Sequence, residues 1–499
     1  MTLSQPEPAT HYLLNKDIQS SPVPSHTHLS PPSMDTVVFY PAPGIGHLAP
    51  MTEFAKLLVA QGFSVAIPIL PPMYPSVSTS ETDDYITRIS SSHPSITFHR
   101  LPPFTVHHSS TNMAVRFLSE LRAANPLLRD FLQSISQTSN IRAILTDFFC
   151  MDVLDVAADL QLPTYVFFTC SAFILAYFLY LPTLHSEMTC GANELGETPI
   201  HIPGVPPIPA SHMPDLTRDR DEGLQALVDL FSRLSDSKGI ILNSFEFLES
   251  RTLKTIREGH CLPNRETPPV YCVGPLINES KGGERHECLA WLDKQPKGSV
   301  VFLCFGSRGR FTAEQVKEIA TGLERSDQRF VWVVRSPPDP ENRLANSNEV
   351  DLDTLLPVGF LERTEGRGVV VKEWAPQVEV LNHEATAVFV THCGWNSVLE
   401  GLRAGVGLIA WPLYAEQKMN KVVLVDEMKL AVELKGYDKG KVAAEEVKNS
   451  VRWLMQSDGG AELRNRAKGM KDHAMAALSD GGSSHAAVLE LVSLWKKCC

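Results

Sequence analysis

From residue 34 onward, short and nearly continuous apolar runs alternate with segments of helical spacing. In the first half the runs are Thr36–Tyr40, Phe63–Ile69, a short one at Thr97–Phe98, Ile141–Leu145, Thr164–Thr169, Gly239–Asn243 and Val270–Pro275. In the second half they are Ser299–Phe305, Phe330–Val334, Gly368–Lys372, Thr386–Thr391, Gly407–Trp411 and Leu430–Leu434. A strand that is apolar on both sides must be covered on both sides, which points to parallel sheets layered between helices. Helices are expected at Leu48–Ala60, Asp152–Leu160, Phe245–Ile256, Thr312–Glu324, Val378–Asn382, Ser397–Ala404 and Gln417–Met428. Three more are expected at Ala443–Met455, Ala461–Leu478 and Ser484–Trp495. Thr312, with Gln315 three residues on, carries a capping-box signal. The fold class is α/β, with two doubly wound, Rossmann-like domains facing each other across a cleft.

A chain of 499 residues is too long for a single core and suits two domains. The expected division is an N-terminal extension at 1–33, a first domain at 34–275, a charged glycine-bearing linker at 276–286, a second domain at 287–475 and a C-terminal helix at 476–499. The extension is rich in Pro, Ser, Thr and His, has no apolar period and is expected to be disordered. It contains no signal-like apolar core, and Met34 is an alternative start. Pro203 to Pro214 reads as loop. The apolar stretch Tyr165–Leu181 approaches spanning length, but Thr169-Cys170-Ser171 divides it into a buried strand and a core helix, so no transmembrane segment is expected.

The formal charge of −12, with no basic face, argues against nucleic acid or an anionic membrane as partner. Ten cysteines lie scattered without a CxxC pair, which suits reduced thiols and a cytoplasmic location. A monomer is expected.

Ligands of open parallel sheets bind beyond the carboxyl ends of the strands. Four loops occupy that position: 41–47, 146–149, 305–311 and 391–397. The first, Pro43-Gly44-Ile45-Gly46-His47, brings an imidazole to a helix start, where it can take a proton from an attacking hydroxyl. The alternative is a capping or surface histidine. Asp147 follows an apolar run, and a carboxylate there needs a partner. It would orient His47 if the two met; otherwise it caps the next helix. Gly306-Ser307-Arg308-Gly309 and His392-Cys393-Gly394-Trp395-Asn396-Ser397 each join a buried strand to a helix, and such helix starts bind phosphate through backbone N–H groups.

Trp374, beside the turn-like Ala375-Pro376-Gln377, is available for base stacking, with core packing as the alternative. Glu400 lies on the first turn of its helix and could accept a ribose hydroxyl. Glu416 and Gln417 could read sugar hydroxyls. Asp351-Leu352-Asp353 has the spacing of a metal-binding DxD, but it sits in a proline-lengthened loop; no metal is expected.

The stretch 374–417 is similar to the donor-binding signature of the plant UDP-dependent glycosyltransferases, family 1, of GT-B fold. WAPQ, THCGWNS, LE, AG, WPL and EQ stand in register, joined by FGS at 305–307, the loop ending in His47, and Asp147. The likeness covers residues 34–499, and the segments PAPGIGHL, FGSRG and RFVWVVRSPP resemble members acting on flavonoids and related phenols. It implies that Trp374 stacks on uracil with Gln377 beside it, and that Glu400 binds ribose. Ser307, His392, Asn396 and Ser397 would hold the diphosphate. Trp395, Glu416 and Gln417 would contact the hexose, with His47 as base and Asp147 as its partner. Gln417 implies glucose. The family usually has Pro at Gly407 and an apolar residue at Arg308.

The expected reaction is inverting transfer of a hexose from UDP-glucose, a co-substrate, to a hydroxyl of a small phenolic acceptor, with no cofactor. The acceptor pocket is expected among apolar positions of the first half, Phe104, Phe148 and Phe168 included. A catalytically inactive UDP-sugar-binding regulator with the same fold is the alternative. A dinucleotide oxidoreductase would need GxGxxG, and residues 44–47 offer only GxGH.

Overall fold

A computed structural model describes residues 34–72, 80–278, 285–338 and 350–497. The extension at 1–33, residues 279–284 of the expected linker, and Cys498–Cys499 lie outside the described residues.

The first half contributes β1 (Met34–Tyr40), β2 (Ser64–Ile69), β3 (Ile96–Arg100), β4 (Ser139–Asp147), β5 (Thr164–Phe168), the short antiparallel pair β6 (Pro199–Ile200) and β7 (Ile208–Pro209), β8 (Ile240–Leu242) and β9 (Val270–Cys272). The second contributes β10 (Val300–Cys304), β11 (Arg329–Val334), β12 (Gly368–Lys372), β13 (Thr386–Thr391), β14 (Gly407–Ala410) and β15 (Ala431–Glu433). The larger sheet runs β3-β2-β1-β4-β5-β8-β9 and the smaller β12-β11-β10-β13-β14-β15. Neighbours in both are parallel. The first sheet reverses its order between β1 and β4, the second between β10 and β13. Those reversals open the crevices where such sheets bind ligands, and all four candidate loops leave these four strands.

The central strands are buried on both faces, as their apolar runs require, while the edge strands β3, β12 and β15 are partly exposed. Val37 and Phe39 point into one core and Val38 and Tyr40 into the other, all with no exposure. The run at 165–181 forms β5 and the helix Ala172–Glu187, whose first turn is capped where the Ile174 amide donates to Ser171 Oγ at 3.4 Å. Among the described residues no helix is long and apolar enough to cross a membrane. The final helix, Ser483–Lys497, returns to the first lobe, where the fully buried Trp495 meets Tyr165 and Phe63 edge-on at 5.4 and 6.2 Å.

Several boundaries differ from expectation. The helix after β1 starts at Ile45, not Leu48, which puts His47 in its first turn. The helix expected from Phe245 begins only at Ser250. Just before it, Glu249 turns inward and its Oε1 accepts from the Ala172 and Phe173 amides at 2.7 and 3.3 Å, capping a different helix. Gln417–Met428 is an α-helix to Val422 and then a π-turn over Val423–Glu427. Thr312 does cap its helix, accepting from the Gln315 amide, but the Gln315 side chain bonds the Val442 peptide rather than completing a box. Helices at Ser80–Ser92, Met113–Ala123, Asn125–Ser136 and Glu222–Ser232 were not expected.

Candidate active site

The first lobe supplies an imidazole–carboxylate pair. Strands β1 and β4 run in register, Tyr40 beside Thr146, so the residues that follow them leave the sheet side by side. Gly44 turns the chain with φ of 116°, a conformation suited to glycine, and the helix then lifts His47 over the end of β4. Asp147, the last residue of β4, has no exposure; its Oδ2 lies 2.8 Å from His47 Nδ1, and its Oδ1 accepts from the Phe149 amide at 3.0 Å. The two readings of Asp147 are therefore compatible, since one oxygen serves the ring and the other the following turn. With Nδ1–H donating to the carboxylate, Nε2 is left to accept a proton.

Burial opposes charge on the His47 ring. The field and hydrogen bond of Asp147 outweigh it, Glu416 of the other lobe adds to them and Arg308 opposes them, so the imidazole is held above its ordinary range. Aromatic rings surround the pair on one side. Phe148 and Phe149 lie 5.8 and 5.9 Å from His47, and Phe117, Phe168, Phe178 and Phe231 extend the cluster. Phe104 is half-buried and stands outside these ring contacts.

The second lobe supplies backbone and glycine. His392 follows β13 and is 7% exposed. It fits because two glycines make room: a Cβ on Gly306 or Gly394 would lie 2.6 or 2.5 Å from its Nε2. Its Nδ1 is buried without a hydrogen-bond partner. Burial, with Arg335 nearby, holds its pKa down to about 4, so the ring is neutral at neutral pH and retains one N–H to donate. Gly394 then opens the helix Trp395–Ala404, whose first amides point out of its N-terminus. Ser307 and Arg308 sit exposed on the turn after β10.

Trp374 stands at the rim, 55% exposed, with His286 6.0 Å away. Gln377 Nε2 donates to Ser397 Oγ at 2.9 Å and to Glu400 Oε2 at 2.5 Å, which joins the β12 loop to the helix after β13. Burial raises Glu400 to about 7, and the Gln377 bond offsets part of that effect. Gln417 Oε1 accepts from the Leu413 and Tyr414 amides at 2.9 and 3.0 Å, leaving its NH₂ to donate elsewhere. Glu416 is pushed up by burial. The Trp395 indole is buried, and its Nε1–H donates to the Asn243 carbonyl at 2.8 Å. Its indole N–H is thus committed within the protein, and what Trp395 offers a ligand is its main-chain N–H. Asp351 caps the short helix Leu352–Leu355, accepting from the Asp353 and Thr354 amides.

The two lobes touch at the site itself. Asn396 Nδ2 donates to the Gly46 carbonyl at 3.0 Å, one residue before His47. The structure therefore brings the imidazole pair against the start of the second-lobe helix. Three non-glycine residues with positive φ, Glu373, Cys393 and Ala415, fall in these loops, at 60°, 66° and 56°. Such strain, of the order of 1–3 kcal/mol each, collects at functional sites. No sequence signal marked these three, nor Asn243.

Residues 261–463 match the family described as UDP-glucoronosyl and UDP-glucosyl transferase. The chain is 44% identical to an anthocyanidin 5,3-O-glucosyltransferase of a Rosa hybrid cultivar, over 93% of this chain and 99% of that one. It is 45% identical to a phloretin 2'-O-glucosyltransferase of Pyrus communis, over 92% and 99%. Among solved structures it is similar to a Polygonum tinctorium UDP-glucosyltransferase capable of glucosylating indoxyl, with 37% identity, a TM-score of 0.84, and 93% and 99% of the two chains covered. It is also similar to Phytolacca americana UGT2 complexed with UDP-2-fluoro-glucose and pterostilbene, at 36% identity and a TM-score of 0.83, covering 93% and 100%.

Proposed function

Because this chain belongs to the plant family of UDP-dependent glycosyltransferases, with the GT-B fold, we propose that it transfers glucose from UDP-glucose to a hydroxyl of a small phenolic acceptor. The observation that carries this reading is the His47–Asp147 pair, 2.8 Å apart, set one residue from the Asn396 contact that joins the lobes. The acceptor hydroxyl bonds to His47 Nε2 and gives up its proton there. Its oxygen attacks the anomeric carbon from the side opposite UDP, the carbon–oxygen bond to the β-phosphate breaks, and UDP leaves with the electron pair. The buried Asp147 stabilises the imidazolium that forms.

The remaining roles follow the chemistry of each position. Trp374 stacks on uracil beside Gln377, and Glu400 takes the ribose. Ser307, His392, Asn396 and Ser397 hold the diphosphate with the helix N-terminus, which stabilises the charge gathering on the leaving oxygen. Glu416, Gln417 and the main chain of Trp395 face the hexose. Donors of this kind supply the stabilisation that a divalent cation would otherwise give, so we read the chemistry as metal-free. Phe149, the partly exposed ring beside His47, faces the acceptor, while Phe148 and Phe168, expected to line the pocket, are buried behind it.

We assign 34–275 to the acceptor lobe and 287–475 to the donor lobe, with 276–286 between them and 476–499 returning to the first. Both halves of the site come from one chain, which supports a monomer. The eight described cysteines carry free thiols, which supports the cytoplasm as the place of work. A regulator that binds UDP-sugar without turnover has no need of a buried carboxylate aimed at an imidazole. Incubation with UDP-glucose and a panel of phenols, read by mass, should show gain of one hexose; a bound donor with no hexose transfer to any phenol would reject the enzyme reading.

A further inference from the structure

One strap of the first lobe reaches across and holds the turn before Glu416. Segment 210–217 consists of two 3-10 turns, Ala210–His212 and Asp215–Thr217. It is rooted at home by the buried Thr217, whose Oγ1 accepts from Tyr177 Oη at 2.7 Å and donates to the Pro214 carbonyl at 2.9 Å. Its outer edge meets the second lobe in three places. The Ala415 amide donates to Asp215 Oδ2 at 2.7 Å, and the Asp215 amide donates back to the Ala415 carbonyl at 3.3 Å. His212 Nε2 lies 3.3 Å from Tyr437 Oη. The other carboxylate oxygen of Asp215 pairs with Arg218, the residue just after the strap.

Ala415 is a non-glycine residue at φ of 56° and directly precedes Glu416. The turn 413–417 is closed from within by Gln417 Oε1 and from the opposite lobe by Asp215. Both backbone polar groups of the strained residue are thus fixed by one residue of the other lobe. We infer that Asp215 is a positioning residue for the donor sugar: its clasp on the Ala415 peptide sets where Glu416 and Gln417 stand, and so makes hexose selection depend on the lobes being together. This rests on the proposed facing of Glu416 and Gln417 toward the hexose.

The geometry separates sugar from nucleotide, because the groups assigned to uracil, ribose and phosphate lie on other loops. Asp215→Ala in the full chain should raise KM for UDP-glucose about tenfold and erode the preference for UDP-glucose over UDP-galactose by a similar factor, while the Kd for UDP stays within about twofold. Asp215→Asn keeps an oxygen that accepts from Ala415 and should return to within about threefold of the parent. The inference is overturned if Asp215→Ala leaves donor KM and preference unchanged, if it weakens UDP as much as UDP-glucose, or if Asp215→Asn is as impaired as the alanine variant. If the alanine variant lacks a cooperative melt, Asp215→Glu keeps the charge but sets the carboxylate one methylene out of place and so shifts the same turn. It should raise donor KM severalfold with UDP binding intact, and an unchanged KM is again fatal. Gln417→Ala reports on the underlying reading separately: if hexose preference ignores Gln417, the sugar assignment fails whatever Asp215 does.

Discussion

The two topological switch points solve opposite problems with opposite materials. At the first, between β1 and β4, the working groups are side chains that satisfy each other. Asp147 is fully buried, yet both its oxygens are bonded, and His47 is fixed by one of them. At the second, between β10 and β13, the working groups are turns, glycines and a helix end. His392 Nδ1 is buried there without a partner, and Cys393 is held at positive φ. A group that must shuttle a proton needs one fixed orientation and a tuned basicity. A surface that must grip a diphosphate needs donors held open for it, at a cost in local stability. The lobes should therefore fail differently: damage to the first removes turnover, and damage to the second removes donor binding.

The largest expected effect breaks the comparison most directly. His47→Ala should lower kcat by about 10²–10⁴-fold, the usual range for a general base, with UDP affinity unchanged. A comparable loss of UDP affinity, measured by calorimetry, would mean that the first lobe grips the donor too. Asp147→Asn should be the milder lesion of the pair, about 10²-fold in kcat, and it carries a pH signature. The His47 ring is held above its ordinary range chiefly against its own burial by Asp147. As the proposed base, His47 works when deprotonated, so activity should rise as pH passes upward through its pKa. Removing the carboxylate lowers that pKa, and the acid limb of the kcat/KM profile should move to lower pH even as the plateau falls.

The second lobe is tested by the glycines that seat His392. Gly394→Ala would set a Cβ 2.5 Å from the imidazole Nε2, closer than any real contact, so the ring or the turn must move. The expected result is a rise of about tenfold or more in Kd for UDP, with single-turnover chemistry at saturating donor less affected. A variant that binds UDP normally but turns over slowly would place His392 on the chemical rather than the binding side.

Most of the strand positions were legible because doubly covered strands announce themselves as unbroken apolar runs, and all six second-half strands overlap the expected runs; the order of strands within each sheet was not. The meeting of His47 and Asp147 was one of the alternatives legible from their places at strand ends, and the structure sets them 2.8 Å apart. What could not be read is what depends on partners distant in sequence. The helix expected from Phe245 starts late because Glu249 serves residues 172 and 173. The indole of Trp395 faces Asn243 rather than open space, a fact fixed only when the lobes close. The helices Met113–Ala123 and Asn125–Ser136 were missed although each carries a start signal, the Asn112 cap on the first and Pro126 in the first turn of the second.

Arg308 offers the finest test of the contrast, because it is an exposed second-lobe residue whose field reaches His47, the proposed base of the first lobe. It opposes protonation of His47, and it also acts on Tyr414 and so lies on the side facing the cleft. Arg308→Met should leave kcat at high pH within about twofold, since no proton or phosphate contact is lost from the first lobe. Without the guanidinium the imidazole holds its proton more tightly, so the acid limb should move to higher pH, opposite in sign to Asp147→Asn. Raising the salt concentration should shrink the shift from Arg308 and leave that from Asp147 nearly intact, because only the former acts through solvent-exposed space. Two variants in two lobes that move one limb in opposite directions, with different salt sensitivity, would mean that a single imidazole reads both sides of the cleft; shifts of the same sign would mean that the limb belongs to some other group.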